Sequence, residues 1–237
     1  MLIILKKEIR AYFSTSFGFI FMGIFLLMSG IAFTTYNLLG RRSDIYGMLG
    51  IMRTLSITAF PVLTMRLLAE ERHSGTDHLL LTSRLSVTDI VLGKYLAALF
   101  VLFVTLLANC VYVAILFLYA EPTLGAILGS YAGFFLLGAS FTAICLFASA
   151  LTENQVTSAI ASFGMLFALV IIGSLANTVR LPVLRDIIRV LSVTSEFEEL
   201  TRGIFRFGPL VYYLSFSIAF VFLTIKVVEK RRWSPNG

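Results

Sequence analysis

Glu70-Glu71-Arg72-His73-Ser74-Gly75-Thr76-Asp77-His78 decides how the rest of this chain is read. Six of these nine residues are charged or histidine. Apolar runs flank them on both sides, each about the 20 residues that one bilayer-spanning helix needs. An ionisable group in hydrocarbon costs about 3 kcal/mol even on the mildest scale, so a break this polar leaves the membrane. The stretch is therefore a loop in water between two spanning helices, and the place where a soluble partner would touch the chain.

Composition agrees. Hydrophobic residues make up 58% and charged residues 14% of the 237, against roughly 25% charged in a soluble domain. The mean hydropathy is +0.93. The expectation is an all-α polytopic membrane protein, a single transmembrane domain over 1–237. The net charge of +6 resembles a nucleic-acid signal. The cations are scattered at helix ends, however, where membrane proteins collect them. No continuous basic face with interleaved aromatics exists, so no nucleic-acid partner is expected. Cys110 and Cys145 both fall in apolar runs and read as small packing residues.

Apolar windows predict six spans, at 17–39, 51–69, 90–119, 125–151, 156–176 and 210–228. The first is too long for a signal-peptide core and lacks a clean cleavage site, so it reads as retained. Thr152-Glu153-Asn154-Gln155 is a tight hairpin between the fourth and fifth. An even number of spans puts both termini on one side, which would carry eleven Lys and Arg against eight on the other. Clusters at 6–10 and 230–232 assign that side to the cytoplasm, together with the loop 70–89 and the hairpin.

Three further pieces read as helices. In 1–16, Leu2, Leu5, Ile9, Tyr12 and Phe13 share one face opposite Lys6, Lys7 and Arg10, as in an interfacial amphipathic helix. The external segment 177–209 carries two signals. Pro182 opens a helix with Leu184, Ile187, Ile188 and Leu191 on one face. Ser195-Glu196-Phe197-Glu198 is a capping box starting another.

Missing chemistry narrows the function. No predicted span carries an ionisable residue near its middle, and Asn109 is the most polar deep residue. Secondary carriers generally need such groups or broken helices. Gly93-Lys94 fails as a P-loop, since Thr88 and Tyr95 stand where Gly and Ser or Thr are required. Lys94 reads instead as a lysine snorkelling at a helix foot. His73 and His78 are five apart and fit no metal motif, so neither a metal site nor a catalytic residue is expected. Gly129-Ser130-Tyr131-Ala132-Gly133, with Gly138 and Ala143 beyond, lets helix backbones approach closely inside the bundle.

The run from Leu68 through Glu70-Glu71-Arg72 and Gly75-Thr76 to Leu79-Leu80-Leu81-Thr82, with Ile90-Val91-Leu92-Gly93-Lys94 after it, resembles the first cytoplasmic loop of ABC-2 type transporter permeases, most closely the gliding-motility-type subfamily. Leu151-Thr152-Glu153-Asn154-Gln155 and the ending from Val211-Tyr212-Tyr213 to Arg231-Arg232-Trp233 support it. The resemblance covers nearly the whole chain. It departs at Arg84, where many relatives carry proline.

The resemblance implies a six-span exporter permease in a bacterial or archaeal plasma (inner) membrane. It works with a second permease copy or a homologous one and with two ATP-binding-cassette subunits that hold ATP and Mg. This chain would bind no cofactor itself. Further implied contacts are membrane lipid and an accessory extracytoplasmic protein. Residues matching the coupling element are Glu70, Glu71, Arg72, Ser74, Gly75, Thr76, Leu79, Leu80 and Leu81. Gly75 permits the turn, and Ser74 or Thr76 caps a short helix carrying the leucines. Glu70, Glu71 and Arg72 would meet charges on the partner's rim. Thr152, Glu153, Asn154 and Gln155 match the second cytoplasmic loop. Thr58, Phe60, Phe163 and Phe167 are candidate pathway residues. Two competing functions are a non-transporting scaffold that anchors a soluble ATPase or motility complex, and a channel or secondary carrier. A lining of Phe, Thr and Ser suits amphiphilic or lipid-linked cargo.

Overall fold

The structure is a computed structural model that describes residues 1–73, 75, 86–119, 123–175, 197 and 207–233. Among the described residues every element is helical. In chain order they are α1 (Leu2–Ser14), α2 (Ser16–Phe33, continued by a π-helical stretch Thr34–Leu39), α3 (Tyr46–Thr64), α4 (Ala69–His73), α5 (Val87–Tyr119), α6 (Leu124–Leu151), α7 (Gln155–Leu175) and α8 (Phe207–Trp233). Six stretches are long and apolar enough to cross a membrane: Ser16–Leu39, Tyr46–His73, Val87–Tyr119, Leu124–Leu151, Gln155–Gly173 and Phe207–Arg231. All six expected spans are there. The second begins before its apolar window, because the helix already starts at Tyr46 and buries Met48 and Leu49; within it the Arg53 guanidinium lies 5.8 Å from the Phe197 ring centre. The two short helices expected in 177–209 lie outside the described residues, apart from buried Phe197.

Helix α6 is the axis of the bundle. Of its most apolar window 78% is buried, against 22% for α7. Its sequence explains why: Gly129, Gly133, Gly138, Ser140, Thr142 and Ala143 are all buried, and small side chains let neighbours approach. A Cβ on Gly138 would sit 2.6 Å from Leu102 Cδ2 and 2.9 Å from Phe60 Cζ. Around this axis an aromatic chain joins three helices. Phe21 packs on Phe25 and Phe60, Phe25 on Phe134, and Phe60 edge-on against Phe141 at 5.6 Å. Asn109 pins α5 to its neighbours, accepting from the Ser29 hydroxyl at its side chain and from the Tyr131 hydroxyl at its carbonyl (3.2 Å). Both cysteines are free; Cys145 is buried as expected, but Cys110 is exposed, because α5 turns that side outward.

The turn between α2 and α3 is clasped by polar groups. Asn37 Nδ2 donates to the carbonyls of Arg42 (2.9 Å) and Asp44 (2.8 Å), and the Arg42 guanidinium donates to the Tyr36 hydroxyl (3.0 Å). Gly47 starts α3 against the Tyr36 ring, where any Cβ would fall 1.8 Å from a ring carbon.

Candidate functional site at the polar end of the bundle

The second long helix breaks where its sequence turns polar. Pro61 removes one backbone donor near the end of α3. Residues 65–68 form a turn before the helix resumes as α4. Ser149 of α6 heals the break: its hydroxyl accepts from the backbone amides of Leu68 (3.2 Å) and Ala69 (3.1 Å) and donates to the Met65 carbonyl (3.4 Å). That is the full capacity of one hydroxyl.

Helix α4 presents Glu70, Glu71 and Arg72, and each turns to a different neighbour. Glu70 takes both prongs of the Arg66 guanidinium, one turn earlier, and that guanidinium lies 3.9 Å over the Phe17 ring. Glu71 lies 2.9 Å from Lys94 Nζ on α5 and 3.8 Å from Lys7 Nζ on α1. Arg72 donates to the Thr152 carbonyl (3.1 Å) and pairs with the Glu153 carboxylate on the hairpin. These three charges are thus engaged inside the chain, in addition to the charges on a partner's rim that the sequence predicts for them. Gly75 has φ +67°, a left-handed conformation that glycine adopts without strain, and its amide bonds the Arg72 carbonyl at 3.1 Å.

Lys94 also departs from expectation. It does not snorkel: it is 2% exposed, with Glu8 Oε1 3.1 Å from its ammonium in addition to Glu71. A buried ammonium is tolerable only when paired in this way. Gly93 beside it has a matching reason, since a Cβ there would meet Ile4 Cγ2 at 2.9 Å. The Gly-Lys doublet therefore lets α1 lie against the foot of α5 and then fastens it. Helix α1 follows that foot lengthwise, from Ile4 at Gly93 to the Phe13 ring, 6.4 Å from that of Phe100. Four residues of the expected face pack, Tyr12 in the core and Leu5, Ile9 and Phe13 against it, while Leu2 is 72% exposed and Ile4 is buried in addition. The Tyr12 hydroxyl donates to the Leu63 carbonyl at 2.8 Å. Burial, assisted by the Glu8 carboxylate and opposed by Arg66, pushes the phenol well above its ordinary pKa. It remains a protonated donor at any physiological pH.

The hairpin is ordered by its own caps. Asn154 Oδ1 accepts from the Val156 amide at 2.9 Å, starting α7 just before Gln155, and Thr152 Oγ1 donates to the Ala148 carbonyl at 3.2 Å. Ser74, Thr76, Leu79, Leu80 and Leu81 lie outside the described residues, as do His78 and Arg84. Of the candidate pathway residues, Thr58, Phe163 and Phe167 are exposed, and the two rings stack at 5.7 Å on α7. Phe60 is fully buried between Phe21 and Phe141, which takes it off any surface that a pathway could use without repacking the core. Sequence reasoning missed Glu8, Tyr12, Arg66 and Ser149. Glu8 did leave a trace, as the only acidic residue before Asp44; a serine near a helix end leaves none.

The polar end thus gathers α1, α4, the foot of α5 and the α6–α7 hairpin into one ion-paired plate on a bundle of six membrane-length helices. Residues 45–228 match the family model described as ABC-2 family transporter protein. No curated protein matches the chain significantly. Over that matched length, with a multi-pass helical bundle to carry it, this chain belongs to the ABC-2 family of transporter proteins.

Proposed function

We infer that this chain is the permease subunit of an ATP-driven exporter, forming a substrate pathway with a second copy or a homologous permease. Separate ATP-binding-cassette subunits hold ATP and Mg and drive it. The whole chain is one transmembrane domain in a plasma membrane, with its polar end and both termini in the cytoplasm. The observation that carries this reading is the anchoring of α4: Glu71 fastens it to α1 and α5, and Arg72 to the hairpin. A push delivered to the segment that follows α4 is therefore passed to most of the bundle at once. Direct contact with the ATPase falls to residues 76–81, where Leu79, Leu80 and Leu81 supply apolar anchors, each worth about 2 kcal/mol in a buried hot spot. Thr58, Phe163 and Phe167 are the pathway candidates that remain on accessible faces. Replacing Leu80 with Asp tests the assignment. The expected result is a permease at normal level in the membrane whose ATPase is lost, or hydrolyses ATP without transport. Coupled transport at the wild-type rate in that variant would overturn it. ATPase retention with no transport in the wild type would instead identify a scaffold.

A further inference from the structure

A groove of about 380 Å³ runs along the outside of the bundle between α5, α6 and α8, lined by none of the ion-paired residues of the plate. Leu92 and Leu99 form one wall, Phe135 the floor, and Ile218, Phe222 and Ile225 the other wall. Its size falls in the range of sites that hold a small ligand, about 300–1,000 Å³. The hydroxyls that border it already have partners within the protein. Tyr95 donates to the Ala139 carbonyl at 3.1 Å, and Ser217 lies 3.3 Å from Ser140 Oγ. The groove therefore offers hydrocarbon to whatever fills it.

Its position says more. From Tyr213 to Ile225 the lining follows α8 for about 18 Å at about 1.5 Å per residue. One leaflet of a bilayer is about 15 Å of hydrocarbon deep. Toward the polar end its lining stops at Ile225, which is followed by Lys226, whose ammonium leans back over the ring of groove-lining Phe222 at 5.5 Å. Beyond it come Lys230, Arg231 and Arg232, against a single carboxylate, Glu229. Glu229 lies 2.8 Å from Lys226, in an exposed pair that a competing anion displaces easily. At the start of α5, outside the lining of the groove, the Asp89 carboxylate lies 3.4 Å from the Met1 amine.

We propose that this groove holds one anionic phospholipid of the leaflet at the polar end, with an acyl chain along α8 and the phosphate at Lys226 and Lys230. The one-leaflet length, the apolar walls and the cationic mouth fit that occupant together. A transmembrane helix of a partner would need a groove crossing both leaflets and would gain nothing from the cations.

Native mass spectrometry of the full-length chain, released from vesicles of phosphatidylglycerol and phosphatidylcholine, tests this. The wild type is expected to retain one lipid through delipidating washes, with phosphatidylglycerol preferred at least about fivefold. Ile218→Trp, at a position 68% exposed and outside the core, should fill the groove and lower retention of both lipids. Lys226→Gln should keep retention but erase the preference. Equal retention of both lipids by the wild type would overturn the proposal, as would wild-type retention by Ile218→Trp. So would photocrosslinks from Phe222 that reach a second copy or another protein instead of lipid.

Discussion

Lys94 joins α1, α4 and α5 through one ammonium, so its removal should be felt in all three. Lys94→Met leaves Glu8 and Glu71 facing each other with their shared cation gone, a loss of about 3–5 kcal/mol for a broken buried pair. The midpoint of thermal unfolding in detergent should fall clearly, and adding Glu71→Gln should recover part of the fall, because one of the two stranded carboxylates is gone. Recovery absent from the double variant would mean that Lys94 matters for packing alone. Ser149→Val is the second residue-scale case. It strands the Leu68 and Ala69 amides inside the protein, at about 1–3 kcal/mol for a buried donor left unsatisfied. Hydrogen exchange at those two amides should quicken before the rest of the bundle changes. Neither role is written in local sequence, because Glu8 lies eighty-six residues from Lys94 and Leu68 eighty-one from Ser149.

At the scale of elements, the hairpin and α4 are held by two contacts of unequal worth. Glu153 is 72% exposed, so its pairing with Arg72 is worth under about 1 kcal/mol. The bond from Arg72 to the Thr152 carbonyl is more sheltered. Glu153→Gln should therefore change thermal stability little, while Arg72→Gln frees the hairpin and raises protease cutting at 152–155. Equal effects of the two would show that the exposed ion pair dominates. What the sequence made legible here follows from periodicity and polarity. Six long apolar runs announce six helices, and the hairpin announces itself by four polar residues. The exchange of Leu2 for Ile4 in the packed face of α1 was not legible. Its amphipathic pattern ranks Leu2 with the apolar side, whereas the face that packs is selected by Gly93 on another helix. The burial of Phe60 was not legible either: an aromatic on a spanning helix looks alike to sequence whether it meets a pathway or a neighbouring ring.

For the whole molecule, orientation is the first thing to check. In a cysteine-free background, needed because Cys110 is exposed, single cysteines at Ser43 and Ser192 should label from outside and those at Ser74 and Ser234 from inside. Outside labelling at Ser74 would invert the assignment. The uneven burial of the helices sets the second expectation. Crosslinks between copies should form from α7, which the chain leaves largely uncovered, and not from α6, its enclosed axis. The ion-paired plate also bears on how the chain is made. Glu8 leaves the ribosome eighty-six residues before Lys94 does, an interval of about 4–17 s at about 5–20 residues per second. Throughout that wait α1 has neither the glycine it lies against nor the lysine that fastens it. Its apolar side rests on lipid or on a chaperone, and the first span enters the bilayer with its leading helix undocked. Arrival of the third span docks α1, and the hairpin after the fourth span then completes the plate, so the finished plate is a check that four of the six spans have been threaded.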